Sequence, residues 1–239
     1  MYSEHETKIS IGAPLEGEWK FLRPPGHHPF AFDFVKTDSG HKKTHGKSSL
    51  HFLFNKISSK DYYCWEEPIV APISGEVLSV GDDWQDHEYT NLWNTIKIWY
   101  NATYKFRPRK ENGELDIRPN AGNHVMIKAD AGYIVFLAHF KNNSITVNPG
   151  HRVERGERLG LVGNSGNSTA PHLHINLFDQ MEDPFTSKVL PFVFGSFQTF
   201  TSQDQWVNCV ESVPEVGALV KFQRITKNSS GRRNAASLS

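Results

Sequence analysis

From His124 to Leu177 the chain is cut into short apolar runs by turn residues, at a spacing too tight for helices of ordinary length. The runs are His124-Val-Met-Ile-Lys128, Tyr133-Ile-Val-Phe-Leu-Ala-His139, Ser144-Ile-Thr-Val147, Arg158-Leu-Gly-Leu-Val162 and Pro171-His-Leu-His-Ile-Asn-Leu177. Between them stand Asp130-Ala-Gly, Asn142-Asn, Asn148-Pro-Gly and Glu154-Arg-Gly-Glu, residue types that favour the backbone angles of tight turns. β-Branched and aromatic residues dominate the runs, so each reads as a strand. The middle of the chain is expected to be antiparallel β-structure, and helical periodicity of any length is absent elsewhere.

Upstream, residues 1–25 read as an irregular or edge-strand lead-in, because Arg23-Pro-Pro-Gly26 cannot serve a central strand. Pro29-Phe-Ala-Phe-Asp-Phe-Val35 alternates aromatic residues around one acid and reads as a buried strand. Leu50-His-Phe-Leu-Phe54 is a short apolar piece without evident chemistry, and Glu67 to Val80 holds two β-branched runs split by a Pro/Gly turn. Residues 82–120 are polar and turn-rich, with an exposed excursion expected at Arg107–Gly113, and read as an insertion. The core is thus placed at 26–178, followed by a C-terminal extension over 179–225 with extra strands near Val189–Gly195 and Trp206–Val210, and a disordered polar tail over 226–239.

A chain of 239 residues can bury one substantial core with insertions. Its 26 basic and 26 acidic residues balance, so bulk charge points to neither a nucleic-acid nor a membrane-surface partner. The polar start has no apolar run long enough for a signal peptide or a membrane span. Cys64 and Cys209 exclude a disulfide framework and a cysteine-based zinc site, leave at most one bridge, and are expected to pack as buried apolar groups. Trp84, Trp93, Trp99 and Tyr100 are expected to cover the sheet rather than line a groove.

The twelve histidines carry the chemical information. His172 and His174 stand at i and i+2, which on a strand puts both imidazoles on one face, roughly 6–7 Å apart. Gly163-Asn-Ser-Gly-Asn-Ser-Thr-Ala170 before them tolerates unusual backbone angles and can wrap tightly beside the pair. A hydrolytic zinc site uses three protein ligands and leaves a position for water. Asp33 fits as one ligand, since a carboxylate among Phe30, Phe32 and Phe34 is costly to bury without a strong partner. His27 and His28 precede it, and His139 stands at a strand end. Taken singly, each has a bland reading: Asp33 as a turn cap, His139 bonded to a loop carbonyl, His172 and His174 as satisfied strand residues. His5, His41, His45, His51, His87, His124 and His151 show no convergent partners and are expected mostly at the surface.

These motifs resemble the lysostaphin/LytM zinc metallopeptidases. The likeness runs through Phe136-Leu-Ala-His139, the Gly160-x-x-Gly163-x-x-Gly166 turn and Pro171-His-Leu-His174, with Ala71-Pro-Ile-Ser-Gly-Glu-Val77 and Phe30-Ala-Phe-Asp-Phe34 further upstream. It implies a mainly β fold, a compact antiparallel sheet with loop insertions. It also implies one zinc ion per chain, held by a histidine before the acid, by Asp33 and by His174. His172 would be the general base, and His139 would position water or stabilise the transition state. The implied activity is hydrolysis, by a metal-activated water, of peptide bonds in peptidoglycan stem peptides or crosslinks, which implies action at the cell wall. The family's HxxxD spacing falls on Pro29, so His28 needs one extra residue and His27 two; His28, the smaller distortion, is the expected ligand with His27 the alternate. Ile175-Asn176 stands where the family has Phe-Glu, removing an acid that could support a ligand from behind. The alternative is a catalytically inactive LytM-like domain that binds cell-wall or protein partners. A biotinyl or lipoyl carrier is set aside for want of a lysine at a hairpin tip.

Overall fold

A computed structural model describes residues 8–48, 55–100, 109–111, 114–180 and 187–223. The strands are β1 Ile9–Ile11, β2 Gly17–Leu22, β3 Phe32–Val35, β4 Ile57–Ser58, β5 Pro68–Val70, β6 Gly75–Gly81, β7 Tyr89–Thr90, β8 Arg109–Glu111 and β9 Glu114–Asp116. They continue as β10 Asn123–Lys128, β11 Ile134–Phe140, β12 Arg152–Val153, β13 Arg158–Leu161, β14 Leu173–Phe178, β15 Val189–Leu190, β16 Phe192–Phe200, β17 Trp206–Ser212 and β18 Leu219–Phe222. Twelve of these form one sheet in the order β1-β16-β18-β2-β3-β14-β11-β10-β6-β12, with β15 on β14 and β17 on β16. Its pairings are antiparallel except β1 with β16. The mainly β architecture expected from the turn spacing is the one observed.

Period-two alternation decides which side chains build the core and which are left for a site. On β14, Leu173, Ile175 and Leu177 join the main hydrophobic cluster, as do Phe32 and Phe34 of β3 and Val135 and Leu137 of β11. The residues between them, His174, Asn176, Asp33, Phe136 and Ala138, face a groove on the opposite side. An aromatic stack fills the core where the two halves of the sheet meet, with Phe21 4.6 Å from Phe32 and 5.4 Å from Phe34, and Phe34 5.7 Å from Phe222.

Four expectations need correction. The lead-in is an edge only in part: β1 ends the sheet beside β16, but β2 lies between β18 and β3, with Trp19 and Phe21 fully buried, because the two prolines fall after the strand ends. A nine-residue helix, Leu92–Tyr100, stands in the stretch read as turn-rich; its aromatic and β-branched residues favour strands intrinsically and hide the helix. In that helix Trp93 is 75% exposed and Tyr100 47%, so these aromatics do not cover the sheet. Ser144–Val147 is irregular; it is fastened by Thr146 N–H to the Leu159 carbonyl at 2.9 Å, with Val147 buried.

Cys64 and Cys209 are both free. No described helix is long and apolar enough to cross a membrane. Leu50–Phe54, His5, His51, most of Arg107–Gly113 and the tail over 226–239 lie outside the described residues.

Phe34 is fully buried beside the strand residue that carries the acid. Phe34→Ala is expected to destabilise the fold by about 3–5 kcal/mol, the range for truncating a buried phenylalanine, measured by urea unfolding.

Candidate metal centre

Asp33 and His174 are direct cross-strand partners between β3 and β14. Both lie on the groove face, and His174 Nδ1 is 2.8 Å from Asp33 Oδ1. The other carboxylate oxygen, Oδ2, lies 3.5 Å from His27 Nε2 and 3.5 Å from His172 Nε2. One buried carboxylate is thus ringed by three imidazoles. Burial alone would raise the Asp33 carboxyl, but His172, His174 and His27 together outweigh it and hold the group well below the usual carboxylate range.

His27, Asp33 and His174 each offer one ligand atom, and those atoms lie within 4.8 Å of one another. Two imidazole nitrogens and one carboxylate oxygen converging from a buried wall are the donor set of a hydrolytic zinc site, so the residues present fit that ion. The structure brings His27, rather than the expected His28, to Asp33. His28 is exposed, lies tilted against Phe30 with ring centres 5.4 Å apart and accepts the Phe30 N–H through Nδ1 at 3.2 Å. The physical reason is the Pro24–His27 turn, closed by His27 N–H to the Pro24 carbonyl at 3.2 Å, which swings His27 back over the sheet. The two extra residues of spacing are absorbed in the loop.

His139 reaches the groove by a different device. By alternation its side chain would share the core face of Val135 and Leu137. A β-bulge intervenes: Asn123 pairs with Phe140 and His124 with Ala138, leaving His139 without a partner on β10. His139 takes φ 67°, a left-handed conformation that strains a residue bearing a Cβ. The extra residue turns its imidazole beside His172, with ring centres 4.5 Å apart, and lets Phe140 return to the core. Burial, then the neighbouring His172 and His174, hold the His139 imidazole well below its ordinary value, with Asp33 and the Ser165 carbonyl opposing.

Two bonds define protonation. His139 Nδ1 lies 2.8 Å from the Ser165 carbonyl and His172 Nδ1 lies 2.8 Å from the Ala170 carbonyl. A carbonyl only accepts, so each Nδ1 carries a hydrogen; in His139, which burial keeps neutral, Nε2 therefore presents a lone pair. Cys64 supports the second arrangement: its buried Sγ–H donates to the Pro171 carbonyl at 3.0 Å, and burial pushes the thiol up to about 12, so the donor stays protonated.

The glycine-rich loop that places these carbonyls is itself clamped by residues 82–90, which the sequence reading assigned to an unmatched insertion. Asp86 accepts the Asn164 N–H at 2.6 Å and the Asn142 N–H at 2.8 Å through its two oxygens. His87 Nε2 bonds the Gly166 carbonyl at 2.7 Å, and Asn164 Nδ2 donates to Ser59 Oγ at 2.9 Å. Gly166 has φ 72° and lies so close to the Gly122 backbone that a Cβ would collide there. His124, read as a surface residue, is buried and bonded through Nδ1 to the Gly122 carbonyl at 2.9 Å. An acid and a histidine just before Glu88-Tyr-Thr90 gave no periodic signal by which either could be singled out.

Residues 111–185 match the model of peptidase family M23. The peptidoglycan DD-endopeptidase ShyA of Vibrio cholerae is 44% identical over 59 residues, 25% of this chain and 13% of that protein. A protein of Buchnera aphidicola described as an uncharacterized metalloprotease is 28% identical over 125 residues, 52% of this chain and 26% of its own. The chain therefore spans a minor part of the curated relatives it matches. Among solved structures, the catalytic domain of lysostaphin from Staphylococcus simulans aligns at a TM-score of 0.38 and 16% identity, covering 76% of this chain and 88% of that one. The resemblance to the lysostaphin/LytM metallopeptidases read from the motifs is upheld.

His139 and His27 both bind protons more weakly in the folded chain than free imidazole does, burial being the first cause for each. Below the ordinary value of 6.5 the unfolded chain takes up protons that the folded chain refuses. The metal-free protein is therefore expected to lose stability as pH falls from about 7 to 5, and His139→Asn to flatten that slope by up to about 1.4 kcal/mol per pH unit. Urea unfolding in chelator across that range measures both; equal slopes would contradict a neutral buried His139.

Proposed function

We propose that the chain is a zinc-dependent endopeptidase, with peptidoglycan stem peptides or crosslinks as the substrate class and the cell wall as the place of action. The observation that carries this reading is the convergence of His27, Asp33, His139, His172 and His174 at one groove, with three of the five inside the segment that matches a peptidase family.

In this reading His27 Nε2, Asp33 and His174 Nδ1 hold one zinc ion. When bound, zinc supplies Lewis acidity that polarises a substrate carbonyl and makes a nearby water easier to deprotonate. His172, with Nδ1–H committed to the Ala170 carbonyl and Nε2 beside Asp33, would in its neutral form take a proton from the attacking water at Nε2. His139, buried and neutral with its Nδ1 hydrogen committed to Ser165, offers only a lone pair. It accepts a hydrogen bond from that water and aims it; it cannot donate to an oxyanion in this state. Of the two roles the motif resemblance left to His139, its bonding favours positioning water. A binding-only domain would be expected to lack a ligand or the base, and all five groups are present.

The groove encloses about 830 Å³. Among its described lining residues the ionisable ones are Asp33 and the histidines alone, and its walls include Ile96 and Ile98 of the helix together with Phe136, Phe178 and Val189. Among the described residues this wall favours apolar contacts with substrate. Ile96, 48% exposed toward this space, is an apolar contact available to substrate.

Elemental analysis is expected to find about one zinc per chain, lost in Asp33→Ala and His27→Ala and kept in His28→Ala. His172→Ala should keep the metal and lose roughly 10²–10⁴-fold in turnover on peptidoglycan fragments; loss of zinc with His172 would show that the division of roles is wrong. Ile96→Glu is expected to raise KM for neutral peptides by roughly tenfold, about 1.4 kcal/mol of lost apolar contact, with zinc content unchanged.

A further inference from the structure

We infer that Asn176 is the positioning residue that makes His174 a metal ligand, by fixing which ring nitrogen carries the hydrogen. This rests on the reading of His174 as a ligand and goes beyond it. Asn176 stands two residues along β14 from His174, so both side chains rise from the same face of the sheet. Its Oδ1 lies 3.1 Å from His174 Nε2, while Nδ1 on the other side of the ring lies 2.8 Å from Asp33 Oδ1. Asn176 is 4% exposed and lines the groove.

A neutral imidazole has one N–H. Both flanking oxygens accept, so in the metal-free chain the ring can donate to either of them. A cation shared with Asp33 must displace the hydrogen from Nδ1, and the amide oxygen then keeps the remaining one on Nε2. The carboxamide nitrogen of Asn176 is buried and finds no hydrogen-bond partner among the described residues, which costs about 1–3 kcal/mol. The side chain is therefore not there to satisfy itself; its useful end is the oxygen on His174.

This position is where the motif resemblance leads one to expect a glutamate. A carboxylate would select the same tautomer while adding a negative charge behind the ligand, whereas the amide selects it without charge. Asn176 thus preserves the orientation of His174 and leaves Asp33 as the one carboxylate among the described residues that line the centre.

The test compares Asn176→Leu and Asn176→Asp with the native chain, using zinc competition against a chromophoric chelator and the ¹⁵N resonances of His174. Leucine removes the acceptor at similar volume; aspartate keeps an oxygen in place. Asn176→Leu is expected to bind zinc 10–100-fold more weakly and to shift the Nε2–H signature of the zinc-loaded protein, while Asn176→Asp stays within about threefold of native affinity. Native affinity and an unchanged signature in Asn176→Leu, or an Asn176→Asp as weak as Asn176→Leu, would overturn the proposal. His174→Ala, run beside them, separates the two levels: if it keeps native zinc affinity, the ligand assignment under the proposed function has failed, independently of Asn176.

Discussion

The cross-strand pair of Asp33 and His174 is the constraint around which the rest of the molecule is arranged. A carboxylate at 4% exposure is tolerable only when charge or hydrogen bonding compensates the lost water. Three imidazoles do this from three separate chain segments: the Pro24–His27 turn, the approach to β14 and β14 itself. Because β3 and β14 are locked in register, with Leu173 opposite Phe34 and Ile175 opposite Phe32, sliding either strand by one residue would send the acid into the aromatic core. The apolar alternation that drives folding and the polar alternation that builds the site are the same pattern seen from its two faces.

Much of this is legible in the sequence itself. Turn residues at short spacing announced the sheet, and the stiff contrast of Asp33 with its phenylalanine neighbours announced a paired carboxylate. Two details are not legible in residue spacing. His27 rather than His28 lies beside Asp33, because the intervening residues 28–31 form a turn, closed by Ala31 N–H to the His28 carbonyl, whose path spacing does not determine. His139 lies at the end of β11 as its place in the run implies, but the bulge that turns it to the groove shows only in its pairing with β10. The helix Leu92–Tyr100 escaped notice because its residues are poor helix formers individually, and tertiary context overrides such preferences.

The segment first assigned to an insertion has two parts with different work. Its beginning, at Asp86 and His87, fastens the backbone of Gly163–Gly166 and so fixes the carbonyl to which His139 is bonded. Its helix instead supplies a wall of the groove through Ile96 and Ile98. An outer layer of hydrogen bonds thus reaches the imidazoles through main-chain atoms, which explains why Asn164 and Ser165 are fully buried polar residues without touching the groove themselves.

The Pro24–His27 turn differs from the strands that carry Asp33 and His174 in being free of the sheet ladder. Asp33 and His174 cannot move apart without unzipping β3 from β14, while His27 is held by one 3.2 Å turn hydrogen bond of its backbone and by side-chain contacts to Asp33 and His174. On the proposed ligand assignment, equilibrium affinity and exchange kinetics would then be governed by different parts of the chain. The strand pair would set how tightly an ion is held, and the proline-bounded turn would act as the door through which it comes and goes.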